Sequence, residues 1–266
     1  MKQAVAKKEI ESALVDRFGA VFQRCDKQPA EIMPTGVGEI DACFNGLPRG
    51  GITEIHGTTS SGRTSLLLSA LAVATLQEET CALVDTSNTF DLSSAANARV
   101  DCDRLLWVRC SGSVERAFKA TDLLLQSGGF GLVVLNLADV PAKYTRRIIT
   151  SWWFRFRRTI ENTPTALVVV TPVPCIRSCA MLVLEVKNEG RIWPSTGSFI
   201  LENKDAKLTK EHSKHHLSLI TETTQSLVSR SVPLTHSHLL QGIRVRVNRE
   251  KPIAWTGEAV RFESVR

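Results

Sequence analysis

Ile52-Thr53-Glu54-Ile55-His56-Gly57-Thr58-Thr59-Ser60-Ser61-Gly62-Arg63-Thr64-Ser65-Leu66-Leu67-Leu68 is the stretch on which the fold turns. It opens as a short strand, crosses a loop of hydroxylic residues bounded by Gly57 and Gly62, and enters an apolar helical segment. Strand, glycine-bounded loop and helix in that order suit a phosphate-binding loop. The usual pattern is Gly, four residues, Gly, Lys, then Ser or Thr. Its glycines let backbone N–H groups curl around phosphate oxygens, its lysine neutralises the terminal phosphates and its hydroxyl ligates Mg²⁺. Every position matches here except the lysine, which is Arg63. The candidate nucleotide-contacting residues are therefore Gly57, Ser60, Ser61, Gly62, Arg63, Thr64 and Ser65, with Thr64 the candidate Mg²⁺ ligand. Arginine keeps the positive charge but substitutes a wide planar fork for a compact ammonium, and the two are not interchangeable in a tight loop.

Outward from the loop, strands and helices alternate. CALVD (81–85), RLLWVRC (104–110), FGLVVLNLADV (130–140) and TALVVVTPVP (165–174) read as strands, several of them the continuous apolar kind found in parallel sheets, and after MLVLEVKN (181–188) the character of the chain shifts. SVERAFKATDLLLQSG (113–128) and residues 145–160 read as helices between them. This alternation predicts an α/β fold, a mostly parallel sheet covered by helices on both faces. Residues 1–34 are expected to hold an amphipathic helix, with Val5, Ile10, Leu14, Phe18 and Val21 on its apolar side, and a linker. The nucleotide-binding core spans 35–201. Residues 202–241, polar and aperiodic, read as an insertion. Residues 242–266 supply two strands, GIRVRVNRE and AVRFES, forming an edge hairpin basic on its open face.

The chain has 266 residues and a net charge of +6, which suits a polyanionic partner without specifying one. It contains no apolar run of about 18 residues, and its charged N-terminus is unlike a signal peptide, so no membrane association and a cytoplasmic location are expected. The seven cysteines form no CxxC pair and read as reduced and structural. His212, His215 and His216 lack the partners of a metal site and read as solvated.

Thr35-Gly36 with Glu39-Ile40-Asp41, Gly46-Leu47-Pro48-Arg49-Gly50, Thr53-Glu54-Ile55, the loop GTTSSGRTS, Cys81 to Asp85, Asp91 and VDCDRLLWVRC follow one another as their counterparts do in the RecA recombinases. The resemblance covers about residues 35–172, with weaker echoes outside, and implies a RecA-like core that binds ATP and Mg²⁺. The departures lie at the catalytic positions. Ser87 stands where the family has the glutamate that activates water, Asn136 where the Walker B aspartate supports Mg²⁺, Pro172 where a glutamine senses the γ-phosphate, and Ser94 where a tyrosine stacks on adenine. The DNA-binding loops also look short. Loss of these groups argues against hydrolysis, which depends on positioning and charge stabilisation. Together with LPRG, TEI, SSGRTS and DLLLQSGGFGLVVL, the pattern resembles the ImuA-type RecA relatives. That resemblance implies a noncatalytic adaptor in SOS-linked translesion DNA synthesis, partnered by an error-prone polymerase-like protein or another replication or repair protein, with single-stranded DNA or RecA as further candidate partners. On that reading there is no catalytic residue and ATP binding is weak or absent. The alternative is an active RecA-class protein that binds single-stranded DNA and hydrolyses ATP, using Thr64 for Mg²⁺ and Asp85 or Glu54 as substitutes. An unrelated regulatory phosphate-loop protein is a third.

Two basic segments remain. In residues 145–160, Ile149, Trp152 and Phe156 share a face that a helix would bury, whereas Arg146, Trp153 and Arg157 fall on another side and are candidates for DNA or partner contact. Arg244 and Arg246, with Arg249 and Lys251, line a strand suited either to a phosphate backbone or to a charge-protected edge.

Overall fold

The computed structural model describes residues 31–192, 242–251 and 259–265. The expected N-terminal helix, most of the linker and the 202–241 insertion lie outside these residues. A two-stranded antiparallel ribbon, β1 (Ile32–Met33) and β2 (Leu47–Pro48), encloses helix α1 (Gly38–Phe44). Then come β3 (Ile52–His56), α2 (Arg63–Leu76), β4 (Cys81–Asp85), α3 (Leu92–Asn97), β5 (Leu105–Arg109), α4 (Val114–Ser127), β6 (Leu132–Asn136), α5 (Ala142–Thr145), α6 (Thr150–Ile160), β7 (Ala166–Thr171) and β8 (Leu182–Ile192). The chain closes on β9 (Gly242–Lys251) and β10 (Ala259–Val265).

The sheet runs β10-β9-β8-β3-β7-β6-β4-β5. From β8 to β5 every pairing is parallel, and β9 and β10 add antiparallel to one edge. The apolar strands predicted from sequence are thus those of the parallel region. One face packs Ile55, Leu83, Val134 and Val168 against α1 and α2, where Ile40, Phe44, Leu67 and Leu71 are buried. The other packs Ile52, Val84, Val133 and Val169 against α4 and α6 through Phe118, Trp153 and Phe156. Alternate residues of each strand therefore feed opposite cores, which is why neither face of the sheet tolerates polar runs.

The helix expected over 145–160 is broken. Residues Ala142–Thr145 form one turn, and α6 begins only at Thr150 with Ile149 as its N-cap. The parallel register aligns the strand ends that position the loop: His56 pairs with Thr171, Val170 with Asn136 and Asn136 with Asp85. In open parallel sheets, ligands are held at these carboxyl ends.

Candidate functional site: the phosphate loop and its strand-end surroundings

Residues 57–62 leave β3 and turn directly into α2, as the sequence predicts. Gly62 is the N-cap residue, with a left-handed φ of 103° that favours glycine; a Cβ there would also lie 2.6 Å from Val245 Cγ2 on β9. A Cβ on Gly57 would meet the Val186 carbonyl oxygen at 2.3 Å. The glycines are demanded by the close approach of β8 and β9. Asn188 Nδ2 reaches from β8 to donate to the Ser60 carbonyl at 3.0 Å. Nothing in the local sequence signals that Asn188 and Val245 strap this loop.

Arg63 decides what the loop can do. It is 6% exposed, and its guanidinium Nη1 donates to the Thr171 carbonyl oxygen at 2.7 Å, across to the end of β7. Burial pushes its pKa below the ordinary arginine value, and the charge of Asp139 opposes that shift. A cation in the first turn of a helix also faces the unfavourable end of the helix dipole, so an acceptor at a strand end offsets part of that cost. The side chain that should meet phosphate oxygens is engaged with the protein's own backbone.

The surroundings fit a phosphate-bearing group in part. No side chain caps α2, leaving its first-turn N–H groups as donors, and Thr64 is exposed. Ser61 Oγ is buried without a hydrogen-bond partner in the described structure. The strand-end side chains are engaged largely with the protein itself. Asn136 contributes an uncharged amide whose Oδ1 accepts from the Ala138 N–H at 3.1 Å. Asp85 Oδ2 accepts from the Phe90 N–H at 2.9 Å, while its Oδ1 is buried without a partner. Ser94, in the stacking position, donates its hydroxyl to Asp91 in the first turn of α3. No cluster of three or more metal-ligating side chains occurs among the described residues.

The segment after β7 is held down. Glu54, fully buried in β3, accepts from the Cys175 N–H at 2.7 Å, the Ile176 N–H at 3.1 Å and the Thr171 hydroxyl at 3.2 Å. Its carboxylate is thereby committed to donors of the segment that follows β7. Burial, reinforced by the Glu54 charge, pushes the Cys175 thiol far up. Arg177 pairs with Glu250 at 2.5 Å, and Lys251 Nζ donates to the Arg177 carbonyl at 2.7 Å. Glu250 also meets His56 Nε2 at 3.0 Å.

A profile of the RecA N-terminal domain matches residues 3–145. The chain belongs to the RecA N-terminal domain family. It is 36% identical over 122 residues to the protein RecA of Streptomyces ambofaciens, covering 44% of this chain and 32% of that protein. It is 37% identical over 113 residues to the protein RecA of Leifsonia xyli subsp. xyli, covering 42% and 31%. The chain thus spans about a third of the length of the curated RecA relatives it matches. A crystal structure of the RadB recombinase overlays with a TM-score of 0.49 at 18% identity, covering 59% of this chain and 84% of that one.

Within this RecA-family core the other candidates separate. Trp153, read from sequence as surface-facing, is 1% exposed and packs edge-on against Phe118 at 5.7 Å or less from centroid to centroid, as does its neighbour Trp152. Counting Ile149 into the helix selects the wrong stripe as the buried one. Once α6 begins at Thr150, the buried stripe is Trp153, Phe156 and Ile160, while Ile149 stands 66% exposed outside the helix. Arg146 is exposed and Arg157 half-buried.

On β9 the cationic face divides. Arg244 pairs with Glu263 at 3.0 Å, Arg246 with Glu189 at 3.4 Å, and Arg249 turns to the opposite side, over the Phe44 ring at 5.0 Å. Hydrogen bonding by Arg261, with help from Arg246, holds the Glu189 carboxyl below the usual range. Much of the strand's charge is therefore answered by carboxylates on β8 and β10, its two neighbours. Among the described residues, no helix is long and apolar enough to cross a membrane.

Proposed function

We propose that this RecA-family chain has lost ATP hydrolysis and acts as an adaptor of the ImuA type in SOS-linked translesion DNA synthesis. On this reading it joins an error-prone polymerase-like protein to RecA or to damaged single-stranded DNA. The observation that carries the reading is the Arg63 hydrogen bond to the Thr171 carbonyl at 2.7 Å, which takes the loop's only cation away from the phosphate position. Ser87 and Asn136 support it, because neither supplies the charge that phosphoryl transfer needs. Glu54 adds a further reason: it ties down the residues that follow β7, where RecA relatives carry a DNA-binding loop. ATP with Mg²⁺ would then bind weakly or not at all.

The test is calorimetric titration of ATP with and without Mg²⁺, followed by an ATPase assay with single-stranded DNA. The adaptor reading expects no DNA-stimulated hydrolysis, together with loss of damage-induced mutagenesis when the gene is deleted. DNA-stimulated hydrolysis abolished by Arg63→Ala would overturn it in favour of an active RecA-class protein.

A further inference from the structure

The inner face of α6 is spent on the core; its outer face is not. Phe154 there is 50% exposed and forms the floor of an open depression of about 710 Å³, edged by Ser151, Arg155, Arg157, Arg158 and Thr159. Arg155 is fixed as one wall, since its Nε and Nη2 donate to Asp122 on α4 at 2.8 and 2.6 Å. Arg157 and Arg158 have no ion pair among the described residues. The surface is preformed, because Trp153, Phe156 and Ile160 anchor the same helix from behind.

Two ligand classes match arginine beside an aromatic ring, and the geometry separates them. A single-stranded nucleic acid is held by successive aromatic platforms along a cationic track. Here Trp153 and Phe156 are in the core, and Trp152 is packed on Phe118 with the Arg155 guanidinium over its ring at 5.7 Å. Phe154 is thus the exposed aromatic of α6, a single apolar seat rather than a row of stacking platforms. An acidic polypeptide needs only an apolar seat and flanking guanidinium groups, the residue types enriched at the centres of protein interfaces.

We propose that the outer face of α6 docks an acidic protein segment bearing one large apolar side chain. That side chain seats beside Phe154, while carboxylates on either side engage Arg157 and Arg158. This gives the adaptor reading a partner surface and rests on it for biological meaning, but its test is independent of nucleotide chemistry.

Short random peptides displayed on phage are selected against the intact chain. The best binder is then titrated by fluorescence anisotropy into wild type, Phe154→Ala and Arg158→Glu, with fluorescein-labelled oligo(dT) alongside. Acidic peptides with an aromatic or large aliphatic anchor should be enriched, and each substitution should weaken binding by about tenfold or more. Added salt should weaken it further. Neutral or basic selections, or binding that survives both substitutions, overturn the proposal. So does oligo(dT) binding that the same substitutions abolish, which would reassign the face to DNA. If Phe154→Ala lowers the melting temperature, the exposed Arg158→Glu still decides. Peptide docking by a chain that also hydrolyses ATP would remove the adaptor reading and leave the docking face; an inactive chain without docking would do the reverse.

Discussion

The Arg63 guanidinium and the Thr171 carbonyl meet at 2.7 Å across two neighbouring strand ends, joining the first turn of α2 to the last residue of β7. The bond depends on arginine's reach and on a buried path between loop and strand. A lysine at the same position is shorter, fully hydrated by preference and without the fork.

Arg63→Lys should therefore release Thr171 and turn a compact ammonium back toward the phosphate position. The expected result is a gain in ATP affinity by calorimetry with no gain in hydrolysis, since Ser87 and Asn136 are unchanged. Loss of one charge-assisted hydrogen bond should lower stability by about 1.5–3 kcal/mol in the absence of nucleotide. Unchanged affinity would mean that the arginine is not what restricts the loop.

Glu54→Gln keeps the shape of the side chain but removes a buried carboxylate that accepts two backbone N–H groups and one hydroxyl. One carboxamide nitrogen would then face a donor. Destabilisation of about 2 kcal/mol is expected from the weakened and mismatched hydrogen bonds. Amide exchange should accelerate at Cys175 and Ile176, the two residues whose N–H groups Glu54 holds. Protection that stays the same at both would show that the segment is held by other contacts.

Trp153 and Arg157, grouped together by sequence as surface candidates, should behave differently. Trp153→Ala empties a site packed against Phe118 and Phe156 and should cost about 3–5 kcal/mol in chemical denaturation. Arg157→Ala, away from the core, should stay within about 0.5 kcal/mol of wild type. Similar small losses for both would place Trp153 at the surface after all.

Local order along the chain was enough to determine the architecture. Continuous apolar strands such as ALVVVT alternating with helices of matching length can bury two faces of a parallel sheet, and the glycine-bounded loop between β3 and α2 could be placed by motif alone. The replacements at Arg63, Ser87 and Asn136 were equally visible, because they are identities at fixed offsets. Tertiary structure alone decided where side chains went once several elements converged. Arg63 finds Thr171 over a separation of 108 residues, Glu54 finds Cys175 and Ile176, and Val245 closes over Gly62 from a strand at the far end of the chain. The choice of buried stripe likewise moved Trp153 from surface to core: with Ile149 outside α6, the residues that face the sheet are Trp153, Phe156 and Ile160, at i, i+3 and i+7. Such contacts follow from the register of parallel strands and the packing of a finite core, neither of which leaves a local trace in sequence.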